Sequence, residues 1–268
     1  MTRIRQFFIT IATSTMLLGF ASAADISDAK LRADLQRVAA MRIYFGHQSV
    51  GGNILDGIRQ LAARTGVPLR IAEASSASEV GAATFAHTFV AENRNPFGKL
   101  KAFELAIGSK PSGLDVAMVK FCYLDFTTDT DARTLFSIYR AMMNNLHLRN
   151  PNTIWIHITA PLTAIQTGPK AFIKNILGIT PYGVLENQRR EEYNTLLRHA
   201  YAGREPIFDL ARFESTTEQG RNVTVEWHGQ SIPALANDYS DDGGHLNSIG
   251  RLHVATELLS LIASLPAK

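Results

Sequence analysis

Short apolar runs alternate along this chain with longer stretches whose apolar residues recur at helical spacing. Residues 25 to 40 place Ile26, Leu31, Leu35 and Val38 on one side of an amphipathic helix. Five strands are expected after it: Arg42 to Phe45, Pro68 to Ala74, Asp115 to Phe121, Thr153 to Thr159, and Pro206 to Leu210. Their apolar character is continuous rather than alternating, which suits strands covered on both faces. Helical patterns lie between them, at residues 53 to 64 and 132 to 146, and a terminal helix runs over residues 248 to 264. Either Asn247 or Ser248 can cap that last helix.

Strand–helix alternation of this kind predicts an α/β fold, a doubly wound three-layer sandwich on a mainly parallel five-stranded sheet. Right-handed crossovers then bring the carboxyl ends of the strands to one edge, where ligands bind in open α/β sheets. Two segments interrupt the pattern. Residues 75 to 97 are rich in small and polar residues and include the turn-prone NRNPFG. Residues 166 to 184 carry Phe172, Ile173, Ile176 and Leu177, which suit either a lid over a site or a helix packed on the body.

The first 23 residues stand apart from this pattern. Arg3 and Arg5 give a basic start, FFITIATSTMLLGF is an apolar run, and Ala21-Ser22-Ala23 supplies the small residues of a cleavage site. The run is too short to span roughly 30 Å of hydrocarbon as a permanent anchor. The expectation is a removed export signal and a single domain over residues 24–268, secreted or periplasmic, with no stable membrane anchor. Of the formal net charge of +3, Arg3 and Arg5 contribute two, so the mature chain is close to neutral. No Lys/Arg cluster marks a nucleic-acid groove, since Arg189-Arg190 is balanced at once by Glu191-Glu192. Cys122 is the one cysteine, which excludes an internal disulfide, and its apolar neighbours suit a buried structural thiol.

Chemistry concentrates in two segments. FGHQSVGGN (45 to 53) follows the first strand and sets Ser49 at the strand's carboxyl end and the start of a helix. There Ser49 reads either as a nucleophile, with its own N–H and the helix N-terminus favouring an oxyanion, or as a plain N-cap. YSDDGGHLNSIG (239 to 250) precedes the last helix and spaces Asp242 three residues from His245 across two glycines. Such a loop can turn the carboxylate onto Nδ1 of the imidazole and leave Nε2 for a serine. Lys120 lies inside an expected strand, where a buried cation needs a partner; Asp125 or a carboxylate of the tail is the expected one. No compact metal-ligand motif is present. His47, Asp242 and His245 are a conceivable two-histidine, one-carboxylate set, but the expectation is a site without metal or cofactor.

With GHQSVGGN near the amino end and DGGHLN before the last helix, the chain resembles the GDSL/SGNH hydrolases. These are single-domain, flavodoxin-like esterases with a Ser-Asp-His triad. The resemblance implies Ser49 as nucleophile, His245 as general base and Asp242 as the group orienting it. It also implies hydrolysis of an ester, with an O-acyl group on a carbohydrate as the expected substrate class. The pattern departs from the family at two places. His47-Gln48-Ser49 stands where the family has Gly-Asp-Ser, so His47 and Gln48 become candidates for the substrate pocket. Cys122, Leu124 and Asp125 fall on the family's Gly-x-Asn-Asp, so Leu124 replaces an asparagine that donates to the oxyanion. The Ser49 N–H, Asn95 and Asn93 are then the candidate oxyanion donors, with Asn53 and His47 as further substitutes. Loss of that asparagine also motivates the alternative of a non-catalytic envelope or glycan-binding protein on the hydrolase fold.

Overall fold

The computed structural model describes residues 23–266. Residues 1–22, which hold nearly all of the expected export signal, lie outside the described residues. In chain order the elements begin with helix α1 (Ala23–Ala39), strand β1 (Arg42–His47), α2 (Val50–Thr65), β2 (Ile71–Glu73) and β3 (Thr84–Phe89). Then come α3 (Pro96–Ile107), β4 (Val116–Val119), α4 (Ala132–Arg149), β5 (Ile154–Ile158), α5 (Pro169–Ile176) and α6 (Val184–Tyr201). The chain closes with β6 (Ile207–Phe208), α7 (Leu210–Ser215), a hairpin of β7 (Thr224–Trp227) and β8 (Gln230–Pro233), and α8 (Ser248–Ser264).

One sheet of six strands, in the order β2-β3-β1-β4-β5-β6, forms the centre, and every pairing in it is parallel. Without the edge strand β2 the order is that of a flavodoxin-like sheet. The α/β class and the parallel sheet are as expected, with one strand more than the five read from the sequence. The extra strand, β3, comes from the segment read as an excursion. TFAHTF mixes polar residues into its apolar ones and follows a run of small residues, so it lacks the continuous apolar signature of its neighbours. The β7–β8 hairpin, antiparallel and part-exposed, escaped for the same reason.

Each face of the sheet carries its own core. Ile43, Phe45, Ile156 and Ile158 point to the side where α1, α2 and α8 pack. Tyr44, Ala117 and Trp155 point to the side of α3, α4 and α6. Leu31, Leu35 and Val38 of α1 are buried as their spacing predicts, while the side chain of Ile26 lies outside the described ones. Asn247 is the cap of α8, its Oδ1 accepting from the N–H groups of Ile249 and Gly250 at 3.1 Å each.

The α2–α8 contact matters for function, because α2 follows Ser49 and α8 follows His245. Gly57 makes the approach possible: a Cβ there would sit 2.3 Å from the carbonyl oxygen of Arg251 on α8. Backbone cannot yield as a flexible side chain can. Gly57→Ala is therefore expected to cost about 1–3 kcal/mol in chemical denaturation and to lower turnover by moving Ser49 away from His245. A variant as stable and as active as wild type would contradict this.

Candidate active site

Ser49 lies between β1 and α2 with φ 47° and ψ −107°, in the left-handed half of backbone space that a non-glycine residue rarely occupies. Holding it there costs on the order of 1–3 kcal/mol, and such strain collects at functional sites. Its hydroxyl does not cap α2. The choice between nucleophile geometry and helix cap, open in the sequence, is thus decided against the cap. The Oγ is instead 2.7 Å from Nε2 of His245, although the two residues are 196 positions apart.

On the other side of the ring, Nδ1 of His245 is 2.7 Å from Oδ2 of Asp242. Oδ1 of the same carboxylate accepts from the N–H groups of Gly244 and His245, each at 2.8 Å, and from the Ser240 hydroxyl at 3.3 Å. The hydrogen bond from the His245 backbone is the largest of the effects that hold the Asp242 carboxyl well below the usual carboxylate range. An ionised Asp242 accepts from Nδ1–H and so leaves the Nε2 lone pair toward Ser49. Both partners are about half exposed, so the pair works through geometry rather than through low dielectric.

Neighbouring residues hold this loop in place. The Tyr123 ring meets His245 edge to face at 5.5 Å between centroids. A Cβ on Gly244 would lie 2.8 Å from that tyrosine ring, so the second glycine of DGGH is a packing requirement. Asn53, weighed above as an oxyanion donor, uses its Oδ1 to accept from the Leu246 N–H at 3.2 Å and so ties α2 to the histidine loop. Arg190, one of the pair balanced in sequence by Glu191-Glu192, is buried and donates to the Tyr123 carbonyl at 2.8 Å.

Several candidates for the pocket turn out to be structural. His47 is fully buried, with Nε2 3.1 Å from Nδ1 of His87, and burial lowers its pKa to about 3. It is a neutral core imidazole rather than a group facing substrate. Gln48 donates to the Ala91 carbonyl at 2.6 Å and clamps the loop after β3. Asn95 caps α3: Oδ1 accepts from Gly98 N–H and Nδ2 donates to Glu92 Oε1, both at 2.8 Å, so its amide is committed at both ends. Asn93 receives Lys99 Nζ at 3.4 Å on Oδ1. Among the described residues the Ser49 N–H has no hydrogen-bond partner, which leaves it as the candidate donor best able to meet an oxyanion. Leu124, in the single turn Tyr123–Asp125 after β4, brings no donor in its side chain.

Lys120 does not pair with Asp125, one of its two expected partners. Asp125 is taken by Lys99 of α3 at 2.7 Å, with both side chains fully buried. The same carboxylate accepts from Cys122 N–H at 2.7 Å and Arg94 N–H at 2.9 Å, joining the loops after β3 and β4. Lys120 is 1% exposed, donates to the Phe121 carbonyl at 2.7 Å, and is brought down to about 8 by burial. Cys122 is buried and free, as its neighbours suggest. His47, Asp242 and His245 do not converge into a metal set among the described residues.

Glu214 of α7 is completely buried; its Oε2 accepts from Leu162 N–H at 2.6 Å, and burial pushes its carboxyl up to about 8. The folded state therefore binds more protons here than the unfolded chain between the ordinary value of 4.5 and about 8. Stability from this group is fully present below that ordinary value and is lost as pH rises through the folded one. Between pH 6.5 and 8 the melting temperature of the wild type is expected to change more steeply downward than that of Glu214→Gln, which keeps the acceptor. This window lies above the ordinary histidine range, in which His47 acts in the opposite sense. Equal slopes in the two proteins would remove Glu214 as the cause.

No family model matches the chain, and no curated protein matches it at a significant level. Among solved structures, the chain is similar to a protein described as a platelet activating factor from Streptococcus pneumonia, with 12% identity over 88% of this chain and 91% of that one, at a TM-score of 0.49. It is similar to a GDSL-like lipase from Parabacteroides merdae at 13% identity, over 83% and 95% of the two chains, with a TM-score of 0.43. A third is the periplasmic domain of a lipopolysaccharide acetyltransferase from Salmonella ser. Paratyphi A, at 12% identity, 84% of each chain and a TM-score of 0.41. The functional reading rests on the side chains of the site itself.

A surface cleft of about 840 Å³ lies elsewhere, bounded by Asp131, Arg133, Gln188, Glu192 and Gln230, and Ser49, Asp242 and His245 do not line it. The segments that follow the strands at the carboxyl edge of the sheet carry exposed apolar side chains among their polar ones. Phe89 ends β3, Phe97 begins α3, and Ile173, Ile176, Leu177 and Ile179 stand outward on and after α5. Residues 166 to 184 thus keep both readings, a lid and a helix packed on the body: Ala171 is buried while Ile173, Ile176 and Leu177 are exposed.

Proposed function

We propose that the protein is a serine hydrolase that cleaves an ester through an acyl-Ser49 intermediate. The observation that carries this is the continuous hydrogen-bonded line from Ser49 Oγ through His245 to Asp242, with 2.7 Å at both links. In this reading Ser49 Oγ attacks the ester carbonyl as Nε2 of His245 takes its proton, and Asp242 stabilises the imidazolium. The Ser49 N–H at the amino end of α2 receives the oxyanion. His245 then gives the proton to the departing alcohol, and water, activated by the same imidazole, releases the acid. The exposed apolar side chains of Phe89, Phe97 and the α5 segment, on elements that follow the strands, support an acyl-bearing substrate over a small charged one. An O-acyl carbohydrate outside the cytoplasm is the proposed substrate class, with the basic-apolar-small pattern of residues 1–23 as support for export.

The purified mature chain, treated with a fluorophosphonate probe, should label stoichiometrically at Ser49, and short p-nitrophenyl esters should turn over. Leu124, which supplies no side-chain donor, favours the second reading of a non-catalytic binding protein. That reading requires no labelling of Ser49, so the one experiment separates the two.

A further inference from the structure

On the sheet face covered by α4 and α6, away from α2, three metal-ligating side chains meet that the proposed hydrolysis does not use. They are His147 near the end of α4, His157 on β5 and Glu205 in the turn before β6. Nε2 of His147 and Nε2 of His157 each lie 2.8 Å from the same oxygen, Oε2 of Glu205. All three ligand atoms fall within 4.8 Å of one another.

We propose that His147, His157 and Glu205 form a zinc site. Hydrogen bonding alone leaves the cluster incomplete: His147 Nε2 is buried and makes no aligned hydrogen bond among the described residues, despite its closeness to Glu205. Two imidazole nitrogens and one carboxylate oxygen, with water as the fourth ligand, are a donor set that Zn²⁺ takes in tetrahedral geometry. Bonds of about 2.0–2.1 Å place tetrahedral ligand atoms roughly 3.3 Å apart, so the two 2.8 Å approaches to Glu205 Oε2 must open by a shift of about half an ångström to admit the ion. His147 and Glu205 can make it, since they keep 37% and 28% of their side-chain surface in solvent, and the same opening admits the ion and a water.

The surroundings are already those of a held ligand. Tyr139 Oη is 2.7 Å from Nδ1 of His157 and can accept Nδ1–H, which fixes the tautomer that presents Nε2 to a metal. Tyr201 stacks on the His157 ring at 3.5 Å and 13°, which locks its plane. The backbone N–H of Glu205 donates to the Tyr201 carbonyl at 3.0 Å and pins the turn. Zinc there ties the end of α4 to β5 and to the approach to β6, where no continuous element joins them.

The test uses the untagged mature chain, freed of metal by dialysis against a chelator and titrated with ZnCl₂ in a calorimeter. One equivalent should bind, and melting temperature should rise with it. His147→Ala, part-exposed and tolerant of truncation, and Glu205→Gln should each weaken binding at least tenfold and abolish the melting shift. His157→Gln is the most severe but sits in the core, so the two more exposed variants decide the test. No uptake by the wild type overturns the site. Uptake unchanged in both His147→Ala and Glu205→Gln overturns it equally, because the ion would then sit on other surface histidines.

Discussion

Ser49→Ala is expected to lower ester turnover by about 10⁴-fold or more, with the fold intact. The hydroxyl lies 2.7 Å from His245 Nε2, and alanine leaves nothing there to be acylated. His245→Ala should do comparable damage, and the double variant little more, because the residues act as one unit and their losses do not add. A second measurement separates function from folding. Ser49 holds a positive φ of 47°, which glycine adopts without strain. Ser49→Gly should therefore be inactive yet as stable as wild type or more so, by about 1 kcal/mol in urea denaturation. Wild-type turnover in Ser49→Ala would end the proposed mechanism.

Breaking the Lys99–Asp125 pair is expected to give the largest loss of stability. Removing one partner of a buried pair leaves an uncompensated charge and costs about 3–5 kcal/mol. Here Asp125 also accepts two backbone N–H groups, so Asp125→Ala strands three donors together. Lys99→Met leaves the carboxylate with its two N–H partners and should cost less than Asp125→Ala. The double variant should recover part of the sum, and denaturant titration of all four proteins measures that coupling. A loss below about 1 kcal/mol in Asp125→Ala would show that water reaches the pair. Both loops joined by Asp125 border the site, so turnover should fall with stability in these variants.

Much of this molecule is legible before folding. Continuous apolar runs mark β1, β4 and β5, because strands buried on both faces need no polar positions. Asp242 and His245 are legible as a pair because three residues and two glycines suffice to bring a carboxylate onto a nearby ring. Ser49 is legible as a site because it stands at a strand end, where parallel topology gathers ligands. Strand β3 was hidden because its polar positions, Thr84, His87 and Thr88, resemble a loop until β1 and β2 flank it.

Identical side-chain types were not separable in sequence. His47, His157 and His245 are all imidazoles near strand ends or loops, yet one is a neutral core ring, one joins Glu205 and one faces Ser49. Asn53 and Asn95 read as free donors and serve as a tether and a helix cap. Lys99 passes in sequence for one more helix-face charge, and only the close approach of α3 to the turn after β4 makes it the partner of Asp125. Periodicity and short-range turns depend on neighbours along the chain, so the residues alone determined the α/β class, the order of the main strands and the Asp-x-x-His loop. The meaning of each polar group depends on which distant group ends up within about 3 Å. Chain closure across α2 and α8 alone decided that Ser49 meets His245, and why its hydroxyl does not cap the helix beside it.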